Sequence, residues 1–259
     1  MSVLVCSLVA YAFCVPERLF DNPYSTVLEA SNGQLLSASI ASDGQWRFPE
    51  TDSVPERFAE ALIAYEDKRF YYHPGVDPIS LGRALIQNLR ERKVVSGGST
   101  LTMQVVRLSR GSTSRDVFEK CIEMIQATRL EWSYSKKEIL SLYASHAPFG
   151  GNVVGIEAAC WRYFGRSAMS LSWAEAALLA VLPNAPSLIH PGRNRKALRA
   201  KRDKLLDRLF ERGKIDSLTC VLGKQEPVPE NPQALPRFAR HLLTRLKSEG
   251  HSEEKVTST

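Results

Sequence analysis

Apolar positions recur with a helical period through most of this chain, beginning with Phe58, Leu62, Ile63 and Tyr65, the spacing of one buried stripe. Ser53 and Glu56 form a capping pair around Pro55, so the pattern predicts a helix that starts there and runs to about Phe70. His73-Pro74-Gly75 breaks it, and a second helix is expected from about Pro78 to Arg90. After a loop at Lys93 to Gly98, Ser99 or Thr100 can cap a third helix through about Leu108. Ser114 to Trp132 reads as a longer helix with Val117, Cys121, Ile125 and Thr128 on one face. Ser135 with Glu138, and Ser172 with Glu175, cap two more, and Arg193 to Arg212 reads as a final basic amphipathic helix.

Two stretches depart from this period. Tyr24 to Phe48 mixes apolar and polar residues around Asn32-Gly33 and Asp43-Gly44, which predicts a small β-hairpin. Beyond Cys220 the chain turns to Glu226-Pro227-Val228-Pro229-Glu230-Asn231-Pro232 and ends in the hydrophilic His251 to Thr259, a linker composition. The expected organisation is an apolar N-terminal segment at 1–20, a hairpin region at 21–50, one predominantly α domain at 51–220 and a Pro-rich polar tail at 221–259.

The N-terminal segment is apolar from Val3 to Val15, shorter than the roughly 20 residues that a hydrocarbon core of about 30 Å demands. No basic start precedes it and no small-residue cleavage site follows, which favours the remnant of a signal anchor, with its true start upstream, over a buried strand or helix. The rest of the chain is then expected outside the cytoplasmic membrane.

Charge sharpens the picture. The 259 residues carry a net +6 and a pI of about 9.1, with basic residues gathered at Arg107 to Arg129 and Arg193 to Lys214. That surplus suits nucleic acid, a phospholipid surface or a pyrophosphate, although any single Lys or Arg reads first as a solvated side chain. Five scattered cysteines and five scattered histidines have no metal-ligand spacing, so neither a disulfide framework nor a metal centre is expected.

Three constellations carry candidate chemistry. Placing Phe58 at zero on its helix puts Leu62 at about 40°, Glu66 at about 80° and Ile63 at about 140°. Glu66 therefore lies within the apolar arc, where a carboxylate is expected to titrate high enough to act as a general base, and Asp67 lies at its edge. The plainer alternative is a helix-end carboxylate that reaches solvent or pairs with Arg69. The Gly97-Gly98-Ser99-Thr100 turn offers amides and hydroxyls at a helix N-terminus, with Arg107 two turns on and Arg115 after the connector, a set able to hold a phosphate; equally, such a turn is a common helix start. Lys120 and Glu123 fall opposite the apolar arc of the long helix, which reads as a solvated i,i+3 pair that could also face a cleft. Ser133-Tyr134-Ser135-Lys136 matches a Ser-x-x-Lys nucleophile motif only formally, because Ser135 serves as a cap and no Lys-Thr-Gly occurs.

In order along the chain, Glu66-Asp67-Lys68-Arg69-Phe70 with His73 and Gly75, Gly97-Gly98-Ser99-Thr100-Leu101-Thr102-Met103-Gln104, Lys136-Lys137-Glu138-Ile139-Leu140 with Tyr143, Tyr163-Phe164-Gly165, Ala174-Glu175-Ala176-Ala177 and Asn184-Ala185-Pro186-Ser187 resemble the motifs of the family 51 glycosyltransferases. These are the peptidoglycan polymerases at the N-terminus of class A penicillin-binding proteins. The resemblance covers about Phe48 to Arg212 and implies a mainly α, lysozyme-like fold with a membrane-dipping jaw. It implies lipid II and the growing glycan strand as substrates, the cytoplasmic membrane and cell-wall synthesis proteins as partners, no nucleic acid, and a catalytic domain on the periplasmic side. Carried over by motif, Glu66 is the general base and Glu123 the second catalytic glutamate; Asp67, His73, Ser99, Thr100, Gln104, Arg107, Arg115 and Lys120 bind substrate. No resident cofactor is implied, with Mg or Mn at the pyrophosphate as an optional helper. This chain departs from the motifs at Glu119, where the family has Arg, at Met103 in place of Gln, and at Ala144-Ser145 in place of Leu-Asn. Two other functions fit part of the pattern: a silent lipid II-binding scaffold, and a lysozyme-like lytic transglycosylase, which would have no use for a pyrophosphate clamp. The Pro-rich stretch also resembles the linker into a transpeptidase domain, so a truncated or split product is expected.

Overall fold

A computed structural model describes residues 2–92, 97–111, 116–183 and 194–258. The elements begin with helix α1 (Ser2–Ala12) and strands β1 (Thr26–Ala30), β2 (Leu35–Ser39) and β3 (Trp46–Arg47). Helices α2 (Glu56–Glu66), α3 (Pro78–Glu91), α4 (Leu101–Arg110), α5 (Val117–Ser133) and α6 (Lys136–His146) follow, with a 3-10 turn at Phe70–Tyr72. Strands β4 (Pro148–Gly150) and β5 (Val153–Val154) lead into α7 (Ile156–Phe164), a 3-10 turn at Ala168–Ser170, and α8 (Trp173–Val181). Helices α9 (Arg195–Glu211), α10 (Ser217–Gln225) and α11 (Arg240–Ser248) and strand β6 (Lys255–Ser258) complete the chain. The expected mainly α architecture with a small N-terminal hairpin is what forms.

The chain divides into two compact units, Met1–Asp21 with Glu66–Tyr143, and Asn22–Tyr65 with Ala144–Thr259. In the first, α4 and α1 both pack on α5. Helix α4 starts where expected, with the Thr100 side chain accepting from the Met103 amide, and Leu101, Met103, Val105 and Val106 are buried. Met103, the departure from Gln, is thus a core residue. Helix α3 is capped by Asp77, whose carboxylate accepts from the amides of Ile79 and Ser80. Helix α1 leaves Leu4, Val5, Leu8 and Val9 more than half exposed and is held to α5 by Tyr11, which bonds Thr128, and by Gln126 and Arg129, which donate to the carbonyls of Cys14 and Ala12. The apolar start is therefore a helix with an open apolar face rather than a buried element. Among the described residues no helix is long and apolar enough to cross a membrane.

In the second unit β1 and β2 form the expected hairpin, paired Thr26 with Ser39 and Leu28 with Ser37 before a register shift at Glu29. Its turn closes at Gly33, whose φ of 79° only glycine adopts without strain. Helices α8, α9 and α10 pack together, and α8 opens with a reciprocal capping box between Ser172 and Glu175.

Four expectations need correction. Ser53 does not cap α2; its hydroxyl bonds Thr51, and the Pro55 carbonyl opens the helix by accepting from Ala59. The same helix ends at Glu66 rather than Phe70, because Asp67 turns inward to long-range partners described below. The long helix starts at Val117 on an Asp116 cap, with Ser114 outside the described residues. Helix α9 is not the last helix, and the stretch with linker composition supplies α11 and β6, the latter running parallel to β1 with Val27 opposite Lys255. Strand pairing at a sheet edge uses backbone groups, so composition alone misses it.

Candidate active site

The candidate residues of the first unit are arranged by α4. Glu66, the last residue of α2, accepts a hydrogen bond of 2.9 Å at Oε2 from the Gln104 side chain. One helical turn further along α4 is Arg107, on the same side by the i,i+3 rule. Its guanidinium lies 3.9 Å from the Glu123 carboxylate of α5, and Glu123 also holds Lys120 Nζ at 3.0 Å. Lys120 in turn donates to the hydroxyl of Ser99 in the Gly-Gly-Ser-Thr turn. A chain of polar contacts thus leads from Ser99 through Lys120 and Glu123 to Arg107, and α4 carries it to Gln104 and Glu66.

Glu123 is buried, which corrects its reading as a solvated partner. The face expected to be apolar is in fact the open one, with Val117, Cys121 and Ile125 exposed, and it is the opposite side of α5 that turns inward through Glu123, Ala127 and Leu130, where Glu123 meets Arg107 of α4. A carboxylate shared by two cations fixes their position while leaving a net positive charge beside it, the arrangement an anionic leaving group needs. Glu119, the acidic departure, has its charge answered by Arg110 at 3.0 Å.

Asp67 and His73 are buried together, with Asp67 oxygens 3.0 and 3.1 Å from His73 Nε2. Asp67 also accepts from the Leu101 amide at 3.0 Å, tying the residue after Glu66 to the first turn of α4. Thr100 is buried as well and donates to the Gly75 carbonyl. The geometry gives these three side chains the work of holding Glu66 and α4 in register. Arg69 bonds Asp77 instead of Glu66. Arg115 and the Asn184 to Ser187 motif lie outside the described residues.

Burial works against the Asp77 charge, but hydrogen bonds from Arg69 and Ser80 outweigh it and hold the carboxyl well below the usual carboxylate range. A depressed folded-state value stabilises above the unfolded pKa of about 3.9 and is lost as pH falls through the folded one. The melting temperature of Asp77→Asn should therefore lie below that of the parent at neutral pH, with the gap narrowing as the solution is acidified below about pH 4. A gap independent of pH would show that the charge does not matter.

Sequence reasoning missed the brace behind this site. Lys136 Nζ donates to the His73 carbonyl and to Glu131, both at 2.7 Å, lies 4.5 Å from the Phe70 ring centroid, and shares Glu131 with the Thr102 hydroxyl. The signal available was a lysine in a helix's first turn, the end where the dipole disfavours it. These contacts also dispose of the Ser-x-x-Lys match: Ser133 accepts from Arg129, and Ser135 and Glu138 cap α6 reciprocally.

The family model described as "Transglycosylase" matches residues 32–210. The chain belongs to the transglycosylase family. Among curated relatives of this transglycosylase chain, penicillin-binding protein 1C of Escherichia coli (strain K12) is 43% identical over 243 residues, covering 92% of this chain and 31% of that protein. This agrees with the resemblance of Leu101-Thr102-Met103-Gln104, Leu130-Glu131-Trp132 and Ala147-Pro148-Phe149-Gly150-Gly151 to the 1C type. Penicillin-binding protein 1A of Aquifex aeolicus (strain VF5) is 34% identical over 197 residues, 76% of this chain and 27% of its own. A crystal structure of penicillin-binding protein 1A from Haemophilus influenzae aligns with a TM-score of 0.46 at 20% identity, over 88% of this chain and 24% of that one. The transglycosylase chain thus spans less than a third of the length of each of these relatives.

Proposed function

We propose that this chain is a peptidoglycan glycosyltransferase that polymerises lipid II into glycan strands at the outer face of the cytoplasmic membrane. The observation that carries the reading is Glu66 held by Gln104 on the same helix that delivers Arg107 to the Lys120–Glu123 pair. On this reading Glu66 takes the proton of the acceptor sugar's 4-hydroxyl as its oxygen attacks the donor's anomeric carbon. The bond from that carbon to the pyrophosphate oxygen breaks with inversion, and the departing undecaprenyl pyrophosphate keeps the electron pair. Arg107 and Lys120, with Arg115, offset its growing charge, and the buried Glu123 positions the first two. The Ser99 hydroxyl, which accepts from Lys120, borders that cluster. Among the described residues no group of three or more His, Cys, Asp or Glu side chains could hold a metal ion.

A lytic hydrolase has no use for this cationic cluster, and a silent binding module would keep it without turnover. Incubating the chain with labelled lipid II in detergent should yield glycan polymer, suppressed by moenomycin. Lipid II retained without polymer would identify the binding module, and cleavage of finished glycan would identify the hydrolase.

A further inference from the structure

The second unit contains a cavity of about 480 Å³ between β2, β3, α7 and one side of α11. Its charged lining is entirely cationic, with Arg162, Arg237, Arg240 and Lys247 and no carboxylate. Arg237 and Arg240 have no ion-pair partner among the described residues. Arg237 is fixed by its backbone to the hairpin, where it bridges to Ser37 and the next amide, Phe238, donates to the Leu36 carbonyl. Arg162 lies over the Trp46 ring at 5.9 Å and donates to the Gln233 carbonyl, while its Nε is shut off from solvent without a hydrogen-bond partner among the described residues. Helix α11 borders the cavity along one side, through Arg240, Leu243, Thr244 and Lys247.

Cationic side chains gathered around a concavity with no carboxylate among them raise the local positive potential there, which attracts an anion. Three guanidinium forks and an ammonium match the several oxygens of a phosphate-type anion. We propose that this cavity binds a compact oxyanion of the phosphate or diphosphate class, either a free anion or the headgroup of an anionic lipid. None of its lining residues belongs to the α4–α5 site, so the proposal stands whether or not that site polymerises glycan.

The test is calorimetric titration of the full chain with sodium pyrophosphate, in parallel with sedimentation alongside vesicles of phosphatidic acid in phosphatidylcholine. Both are repeated on Arg237→Gln/Arg240→Gln and on Arg107→Gln/Lys120→Met. The side chains of Arg237 and Arg240 are exposed, so the first variant should melt as the parent does. Pyrophosphate affinity should fall at least about tenfold in that variant, since charge-assisted bonds are lost, and one binding event should survive in the second. Loss of pyrophosphate binding alone assigns a free anion, and loss of vesicle binding as well assigns a lipid headgroup. No binding of either probe, or binding that Arg237→Gln/Arg240→Gln leaves intact, overturns the proposal.

Discussion

Replacing Glu66 by Gln should lower the rate of glycan-strand synthesis by about 10²- to 10⁴-fold, the range in which a positioned general base contributes, while lipid II still binds. Gln keeps the size of Glu66 and a side-chain oxygen for the Gln104 donor, so that contact survives and only the proton acceptor is removed. Glu123→Gln should behave differently. It weakens a buried contact shared by Lys120 and Arg107, so the stabilisation of the leaving group falls and loosened cations raise KM as well as lowering kcat. Steady-state and single-turnover kinetics on labelled lipid II separate the two outcomes. Polymerisation by Glu66→Gln within tenfold of the parent would remove Glu66 from the mechanism.

Gly75→Ala should be the most destabilising small substitution near the site. Gly75 has φ of 86°, and a Cβ there would fall 2.5 Å from the Ala127 carbonyl oxygen and 2.6 Å from its carbon, which are main-chain atoms of α5 and cannot swing aside. The left-handed backbone costs an L-residue about 1–2 kcal/mol, and displacing packed backbone about 1–3 more. Together they should lower the melting temperature by about 5–15 °C in a chain of this size. Gly33→Ala separates the contributions, because Gly33 has φ of 79° but nothing within 4 Å of its added methyl. It should show the backbone cost alone. Equal melting temperatures for the two variants would mean that α5 yields at Ala127. The damage should also reach the site, since the Gly75 carbonyl receives the Thr100 hydroxyl that caps α4.

Much of the secondary structure was legible because its hydrogen bonds are short in sequence. The starts of α4, α6 and α8 follow from Thr100, Ser135 with Glu138, and Ser172 with Glu175, each acting within three residues. The turn at Asn32-Gly33 is equally local, with the Asn32 side chain accepting from the Gln34 amide. Where short-range logic met a competing partner it failed, as when Ser53 bonded Thr51.

By itself the sequence determined the helical class, the family and the two glutamates worth testing, since periodicity and ordered motifs are properties of the chain alone. Only the tertiary structure decided that Glu123 is buried between two cations, that Asp67 and His73 brace α4, that Arg110 answers Glu119, and that the C-terminal residues form an edge strand. Arg202 of the basic amphipathic helix makes the same point: a lone arginine reads first as solvated, but this one is buried because it donates to the carbonyls of Lys224 and Glu226. Each of these depends on a partner brought close by folding, and the burial of a charge is settled by that partner, not by the position of the residue on its own helix.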